Sequence, residues 1–233
     1  MHEPVEPVVA VVVAAGSGTR LGGETPKALR VVAGRSLVAR SVDQLAAGGC
    51  TAAVVVVAAG TEDAFAAALA DAPIPCLLTL GGAERQDSVR HGLDAVRAEP
   101  ALAGCRVVLV HDAARAFVPA DVVTRVIDAV RGGSVAVVPV VPVVDTVRAL
   151  AGATSAVVDR SALRAVQTPQ GFDLATLAAA HARLAADGVV VTDDAAACEH
   201  AGHPVTLVAG SRRSLKVTEP LDLVFAEALA RQA

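Results

Sequence analysis

The chain alternates short apolar runs, most of them rich in valine, with longer segments in which apolar residues recur at helical spacing. The short runs are apolar at nearly every position, and such runs are typical of central strands that are covered on both faces. The predicted strands are 8–15, 53–58, 76–80, 107–111, 135–140 and 205–208.

Helical patterns separate these strands, since apolar residues three and four positions apart form one face of a helix. Pro119 and Pro220 suit the first turns of two helices, where a missing N–H costs little. This order predicts an α/β fold: a three-layer, Rossmann-like, mostly parallel sheet that binds ligands at the carboxyl ends of its strands. The helical faces are Val38, Val42 and Leu45; Val89, Leu93 and Val96; and Val123, Val126, Ile127 and Val130.

One segment departs from this order. Residues 139–170 carry short β-like pieces without a helical pattern, and prolines lie near both ends. Such a segment suits a protruding β-arm better than a sheet core, and protruding arms usually lie on a partner subunit. We therefore predict a single domain, 1–233, with 139–170 as a β-arm subregion.

Composition narrows the classes of function. The chain has 233 residues and is 54% hydrophobic, but its apolar runs are far shorter than the roughly 20 residues that cross a bilayer. The first residues, MHEPVEPVV, lack the features of a secretory signal, and the four cysteines form no CxxC pair. A net charge of −4 with 2% aromatic residues disfavours nucleic acid. We expect a cytoplasmic protein with no membrane or nucleic-acid partner and with small phosphate ligands.

A glycine-rich loop, AAGSGTRLGGETPK, follows the first predicted strand. The spacing of Gly16, Gly18 and Gly22 is one residue too long for the dinucleotide-binding fingerprint. A P-loop needs a lysine where this chain has Glu24. The loop is therefore of a different kind from either template.

The chemistry of this loop favours an anionic ligand. Its glycines leave backbone N–H groups exposed, and such groups form a concave cradle for anions. Arg20 and Lys27 can reach over phosphates that the loop wraps. Every basic residue other than Lys27 and Lys216 is an arginine, which suggests that these two positions need a compact ammonium group.

A second small loop, GGAERQDS, follows the third predicted strand. Gly81 and Gly82 would let its backbone approach the flat edge of a base, and Ser88 offers a hydroxyl to that edge. Alternatively, Asp87 and Ser88 cap the helix that follows.

Asp112 ends the strand run VLVHD, near Arg115, at the edge of the sheet where ligands bind. Its carboxylate could orient a hydroxyl or approach a magnesium ion, whereas a structural aspartate would cap the next turn. The position at a strand end favours a functional role. We interpret His111 as a packing residue, Thr192 as the N-cap of a later helix, and Arg160 as a phosphate-binding candidate.

Eight segments in order resemble the 2-C-methyl-D-erythritol 4-phosphate cytidylyltransferase family of the non-mevalonate isoprenoid pathway. They are AAGSGTRLG with PK, GGAERQDSV, VHDAAR, VDT, VDR, TPQGF, TDDA and KVTEPLDL, and they run from Val8 to about Leu223. The resemblance implies a sheet of the nucleotide-diphospho-sugar transferase type. It also implies transfer of CMP from CTP to methylerythritol phosphate, with Mg²⁺ held mainly by the CTP phosphates.

The same resemblance implies roles for particular residues. Catalysis would rest on Arg20, Lys27, Arg160 and Lys216, in a homodimer whose arm carries Thr146 and Arg160 to the neighbouring site. Nucleotide binding would fall to Ala14, Ala15, Gly16, Ser17, Gly18, Thr19, Arg20, Lys27, Gly82, Ala83 and Ser88, and substrate binding to Asp112, Arg115, Thr146, Arg160, Thr168 and Lys216. Direct metal ligands stay unassigned.

Four positions depart from residues that are common in the family: Ala28, Ala83, Ala116 and Leu221. None of them removes a proposed charged group. Two alternatives stay open at this point. One is a cytidylyltransferase that accepts ribitol 5-phosphate, and the other is a non-catalytic nucleotide-binding regulator; the glycine spacing already disfavours a dehydrogenase.

Overall fold

The computed structural model describes residues 6–16, 21–22 and 25–232. Two short strands, β2 and β3, pair with each other, as do the strands of a hairpin, β8 and β9. The other eight strands of the described residues form one central sheet. The strands are β1 Val8–Val13, β2 Val31–Val32, β3 Arg35–Ser36, β4 Ala52–Val57, β5 Cys76–Leu80, β6 Val107–Asp112, β7 Ala136–Pro142, β8 Val147–Ala151, β9 Thr154–Val158, β10 Arg164–Val166, β11 Gln170–Asp173 and β12 Thr206–Ala209.

The central sheet has the order β10-β7-β11-β6-β1-β4-β5, and β12 pairs with β7. The pairs β1–β4, β1–β6, β4–β5 and β7–β12 are parallel, whereas β10 and β11 run antiparallel to their neighbours. The prediction of a mostly parallel α/β sheet is therefore confirmed. Because β1, β4 and β6 are parallel neighbours, the loops that follow them meet at one edge.

Helices cover both faces of the sheet. Val8, Ala10 and Val12 of β1 pack into one core cluster, and Val9 and Val11 pack into the other. This two-sided burial explains why the strand lacks an alternating polar pattern. The helices are α1 Leu37–Ala47, α2 Glu62–Ala68, α3 Arg85–Ala98, α4 Ala120–Arg131, α5 Leu174–Asp187, α6 Asp194–His200 and α7 Pro220–Ala230. Within the described part of the chain, no helix is long and apolar enough to span a membrane.

Two strands that we predicted as central are not. The end strand β5 pairs with β4, and its Leu77 and Leu80 are 38% and 46% exposed. Strand β12 pairs with β7, and its Leu207 is 56% exposed. A short apolar run has the same sequence pattern whether one neighbour or two complete its hydrogen bonds, so the pattern could not distinguish these strands.

The predicted arm boundaries, 139–170, are too wide. Pro139 lies inside β7, where its carbonyl accepts a hydrogen bond from the Gln167 N–H at 2.8 Å. A proline removes a backbone donor but keeps its acceptor, and so β7 tolerates it. Strands β10 and β11 also belong to the central sheet, and the separate hairpin comprises only β8 and β9.

Two helix starts differ from the predictions by one residue. Asp193, not Thr192, is the N-cap of α6, and its carboxylate accepts a hydrogen bond from the Ala196 N–H at 3.0 Å. Pro119 is the N-cap of α4 and so precedes its first turn, while Pro220 lies in the first turn of α7 as predicted. Shifts of one residue are ordinary at helix ends, where the hydrogen-bond pattern begins.

Gly92 provides a test of how closely α3 packs on the sheet. A Cβ at this position would lie 2.4 Å from Val11 Cγ1, in the buried strand β1. We expect Gly92→Ala to lower the free energy of unfolding by about 1 to 2 kcal/mol, because overpacking outweighs the gain in helix propensity. Urea unfolding measures this change.

Asp94→Ala is the matched control, since Asp94 lies two residues further along α3 and is exposed. It should change the free energy of unfolding by less than about 0.5 kcal/mol. A Gly92→Ala protein that is more stable than the wild type would contradict the close packing of α3 on β1.

Candidate active site

A cavity of about 220 Å³ opens at the carboxyl ends of β1 and β6. Nine of the residues predicted for the site line it: Ala14, Ala15, Gly16, Lys27, Gly82, Ala83, Ser88, Asp112 and Lys216. Four others, Ser17, Gly18, Thr19 and Arg20, lie outside the described residues. The structure thus brings together residues that are up to about two hundred positions apart in the chain.

Backbone hydrogen bonds beyond the strands hold the first wall of the cavity. The Ala14 N–H donates to the Val56 carbonyl at 2.8 Å, and the Ala113 N–H donates to the Val13 carbonyl at 3.2 Å. The Ser41 hydroxyl of α1 donates to the Ala113 carbonyl at 2.9 Å. The ends of β1 and β6 are therefore fixed relative to each other and to α1.

The second loop packs tightly against the first. A Cβ at Gly81 would lie 2.6 Å from the Ala15 Cβ, so a glycine is required for this approach. Ser88 Oγ accepts a hydrogen bond from the Gly82 N–H at 3.1 Å and donates one to the Glu84 carbonyl at 3.1 Å. The predicted base-reading hydroxyl thus organises the loop in this structure.

Helix α3 begins at this loop, and Glu84 is its N-cap. Asp87 completes a capping box with Glu84, so the alternative that Asp87 caps the helix is correct. Ser88 lies one position beyond the box. Arg85, the first residue of α3, lines the cavity beside this loop.

One part of the cavity wall is a carboxylate that lies between two cations. Lys216 Nζ lies 2.7 Å from Asp112 Oδ2, and Arg85 Nε lies 3.6 Å from Asp112 Oδ1. Burial by itself raises the pKa of Asp112, but Arg85 and Lys216 outweigh it and lower this pKa to about 2. Asp112 is therefore anionic over any ordinary working pH.

Sequence reasoning missed Arg85. The segment GGAERQDSV drew attention through its glycines and its serine, whereas Arg85 resembled any other charge at a helix start. Its partner on the side away from the cavity, Asp194, is 109 residues further along the chain. The TDDA segment that contains Asp194 was noted without a role.

Lys27 lines the cavity from a 3-10 turn, Lys27–Leu29. Asp222, near the start of α7, accepts hydrogen bonds from the N–H groups of Thr218 and Glu219 at 2.7 and 2.9 Å. Burial raises the pKa of Asp222, but these hydrogen bonds and the charge of Lys27 lower it overall. Lys27 therefore interacts electrostatically with Asp222, at the start of the helix that follows Lys216.

Arg115 and Thr168, predicted to bind substrate, do not line the cavity. The Arg115 guanidinium donates to the carbonyl groups of Ser214 and Val166, at 2.8 and 3.3 Å. Thr168 Oγ1 accepts a hydrogen bond from the Asp112 N–H at 3.1 Å. In this structure Arg115 binds the loop before Lys216, Thr168 binds the end of β6, and neither side chain lines the cavity.

Thr146 and Arg160 lie beside the hairpin and outside this chain's own cavity. Arg160 is exposed, and its guanidinium donates to the Val144 carbonyl. The described residues contain no group of three or more histidine, cysteine, aspartate or glutamate side chains that could hold a metal ion. Among the described lining residues, the carboxylates are Glu84 and Asp112, so a metal bound by these residues would depend mainly on ligand oxygens.

Known proteins resemble this chain over nearly its whole length. The family model described as 2-C-methyl-D-erythritol 4-phosphate cytidylyltransferase matches residues 8–232. The enzyme of that name from Saccharopolyspora erythraea is 49% identical, with 95% of this chain and 98% of the relative covered. Its counterpart from Streptomyces coelicolor is 47% identical, with 96% and 85% covered. The solved structure of the Thermus thermophilus enzyme is 38% identical, with a TM-score of 0.78 and 95% and 98% covered.

His111 provides a test of the buried strand end. Its side chain is fully buried, as predicted for a packing residue, and burial lowers its pKa to about 4. In the unfolded chain this histidine titrates near 6.5, so the unfolded state binds more protons below that pH and stability falls as the pH drops. Between about pH 7 and pH 5 this group alone should remove about 2 kcal/mol of unfolding free energy.

Urea unfolding at several pH values measures that slope in the wild type and in His111→Asn. The variant should lose less stability on acidification than the wild type. His203→Asn, at a partly exposed histidine, controls for loss of a histidine as such. Equal slopes in the wild type and His111→Asn would contradict the neutral, buried state of His111.

Proposed function

The chain belongs to the 2-C-methyl-D-erythritol 4-phosphate cytidylyltransferase family, and from that premise we propose how its strand-end cavity carries out the family's reaction. The protein is a cytidylyltransferase: it transfers CMP from CTP to 2-C-methyl-D-erythritol 4-phosphate and releases pyrophosphate. The roles of its individual residues are our proposal.

In this reaction a phosphate oxygen of the acceptor attacks the α-phosphorus of CTP, and the bond from that phosphorus to pyrophosphate breaks. The nucleophile is already an anion near neutral pH, so no general base is required. The difficulty is that one anion must approach another. The protein therefore contributes positioning and electrostatic stabilisation.

The observation that carries the proposal is the charge distribution of the cavity wall. Among the described lining residues, the cations Lys27, Arg85 and Lys216 outnumber the carboxylates Glu84 and Asp112. The first loop would bind the triphosphate with its backbone N–H groups, and Lys27 would stabilise charge at the α-phosphate. Lys216 would orient the phosphate of the acceptor.

Before a ligand binds, Asp112 would pair with two of these cations, Lys216 and Arg85. Its two oxygens meet Lys216 and Arg85, which holds both cations close to the ligand space. Phosphate oxygens that enter the cavity would compete for the same N–H donors. The second loop, through Gly82 and Ala83, would contact the cytosine.

We propose Mg²⁺ as the metal, held mainly by the CTP phosphates. The lining carboxylates fit that arrangement because Asp112 is already paired with two cations. When bound, the ion would neutralise charge on the phosphates. A cytoplasmic location remains a prediction from the sequence.

We also propose a homodimer in which the hairpin segment serves the neighbouring cavity. Leu150 and Val157 of the hairpin are 84% and 62% exposed, and apolar side chains this exposed favour a covering surface. Thr146 and Arg160 flank the same hairpin and lie away from their own cavity. Contact with a second copy would bring their polar groups to its acceptor site.

The function is tested by pyrophosphate release with a panel of nucleotides and acceptors. The wild type should release pyrophosphate with CTP and methylerythritol phosphate faster than with UTP, ATP or GTP, or with ribitol 5-phosphate. Lys27→Ala should lower kcat about 100-fold or more, as expected for loss of a cation at the developing charge. Arg97→Ala, on the exposed side of α3, should leave the rate unchanged.

Faster turnover with ribitol 5-phosphate than with methylerythritol phosphate would show that the protein prefers the alternative acceptor. CTP binding without pyrophosphate release from any acceptor would indicate a regulator. Full turnover by Lys27→Ala would show that Lys27 is not a catalytic residue.

The exchange of Arg160 between subunits is tested by mixing two inactive variants. If Arg160 serves the neighbouring cavity, mixed dimers of Lys27→Ala and Arg160→Ala contain one intact site. After unfolding and refolding together at equal amounts, the mixture should recover about a quarter of wild-type activity, because half of the dimers are mixed. If Arg160 acts within its own subunit, the mixture should recover none. Each variant refolded alone is the control.

A further inference from the structure

A buried carboxylate, Asp194, lies behind the cavity wall. Its Oδ2 is 2.8 Å from Arg85 Nη2, and its Oδ1 is 3.1 Å from Nε2 of His181 on α5. The side chains of His181 and Asp194 are only 2% and 1% exposed. Neither residue lines the cavity, so neither has a place in the chemistry described above.

Burying a carboxylate is costly unless charges or hydrogen bonds compensate. Burial raises the pKa of Asp194, but His181 and Arg85 outweigh it and hold this pKa below its usual value. Asp194 is therefore an anion that accepts hydrogen bonds on both sides, from the imidazole and from the guanidinium. Removing its charge would leave a buried arginine edge without its partner.

The position of Asp194 is itself fixed by the sheet. Gln170, buried in β11, donates from Nε2 to Asp193 Oδ2 at 2.8 Å. Gln170 Oε1 accepts a hydrogen bond from the Ala195 N–H at 3.2 Å. The start of α6 is thus tied to the central sheet on both sides of Asp194, so the carboxylate offers Arg85 a rigid anchor.

Different nitrogens of the Arg85 guanidinium approach the two carboxylates. Nη2 meets Asp194, while Nε faces Asp112 at 3.6 Å, a distance longer than a good hydrogen bond. Its side chain remains 32% exposed, so ligand can reach it. An arginine has many rotamers, and fixing one of them before the ligand arrives reduces the entropy lost on binding.

We propose that Asp194, supported by His181, is a positioning residue of the nucleotide site, which holds the Arg85 guanidinium where it meets the phosphates of the bound nucleotide. Asp194 acts through Arg85 alone. This inference rests on the proposed function, and it adds Arg85 to the groups that bind CTP.

A double-mutant cycle tests this dependence. CTP affinity by calorimetry and kcat/KM are measured for the wild type, Asp194→Asn, Arg85→Met and the double variant. Asp194→Asn should weaken CTP binding about 10-fold in the wild-type background, the effect of losing one charge-assisted contact. In the Arg85→Met background the same change should have almost no effect.

A purely structural role would give the same loss of CTP affinity in both backgrounds, and that result would overturn the inference. Unchanged CTP binding by Asp194→Asn would overturn it as well.

The chain offers a matched control. Asp187 also pairs with a histidine and an arginine, His200 at 2.7 Å and Arg183 at 3.6 Å, but it is on the surface. Asp187→Asn should leave CTP affinity unchanged. If Asp194→Asn does not fold, His181→Gln provides the same cycle, with a smaller loss that again requires Arg85. Pyrophosphate release by the wild type is recorded separately, because its absence would count against the proposed function while the CTP affinities still decide this inference.

Discussion

The pairing of one carboxylate with two cations is the interaction on which this site depends. Lys216 and Arg85 both approach Asp112, which the end of β6 and the Thr168 hydroxyl hold in place. Without Asp112, two positive side chains would face each other in a partly buried wall and would repel. With it, they stay close together before a ligand arrives. Preorganised charge of this kind is the main way a protein stabilises a transition state that gathers negative charge.

The sheet explains how residues so far apart reach that carboxylate. Parallel strands β1, β4 and β6 end at the same edge, so the loops after them share one space. Gly81 allows the second loop to approach Ala15, and Arg115 ties the loop before Lys216 to the strand end by hydrogen bonds to carbonyl groups. Each contact is ordinary, but together they leave little freedom to the groups that surround the cavity. The neutral, buried His111 keeps a further positive charge out of that edge.

Sequence reasoning predicted the parallel core well because strands covered on both faces have a strong and simple pattern. It failed where that pattern carries no information: β5 and β12 have the same apolar runs as central strands, and Pro139 suggested a break although β7 continues through it. Nine residues singled out in glycine-rich, strand-end and lysine-bearing segments line the same cavity, because such positions have a local signature in the sequence. Arg85, Asp194 and His181 were missed because their roles arise from contacts between distant segments. Arg115 and Thr168, predicted to bind substrate, contact backbone groups in this structure and do not line the cavity, so their predicted role stays a prediction.

The choice of lysine or arginine in the cavity follows from these contacts. Lys27 and Lys216, the two lysines of the chain, both line the cavity. An arginine carries several donors in one rigid plane, so Nη2 of Arg85 is held by Asp194 while its Nε lies near Asp112. An ammonium group has no fixed plane, so Lys216 can turn from Asp112 towards a phosphate without breaking a two-point contact. In the mechanism that we propose, the reaction uses both kinds of cation, one that stays in place and one that moves with the phosphate. The position of the chain's two lysines in this cavity thus has a physical explanation in its geometry.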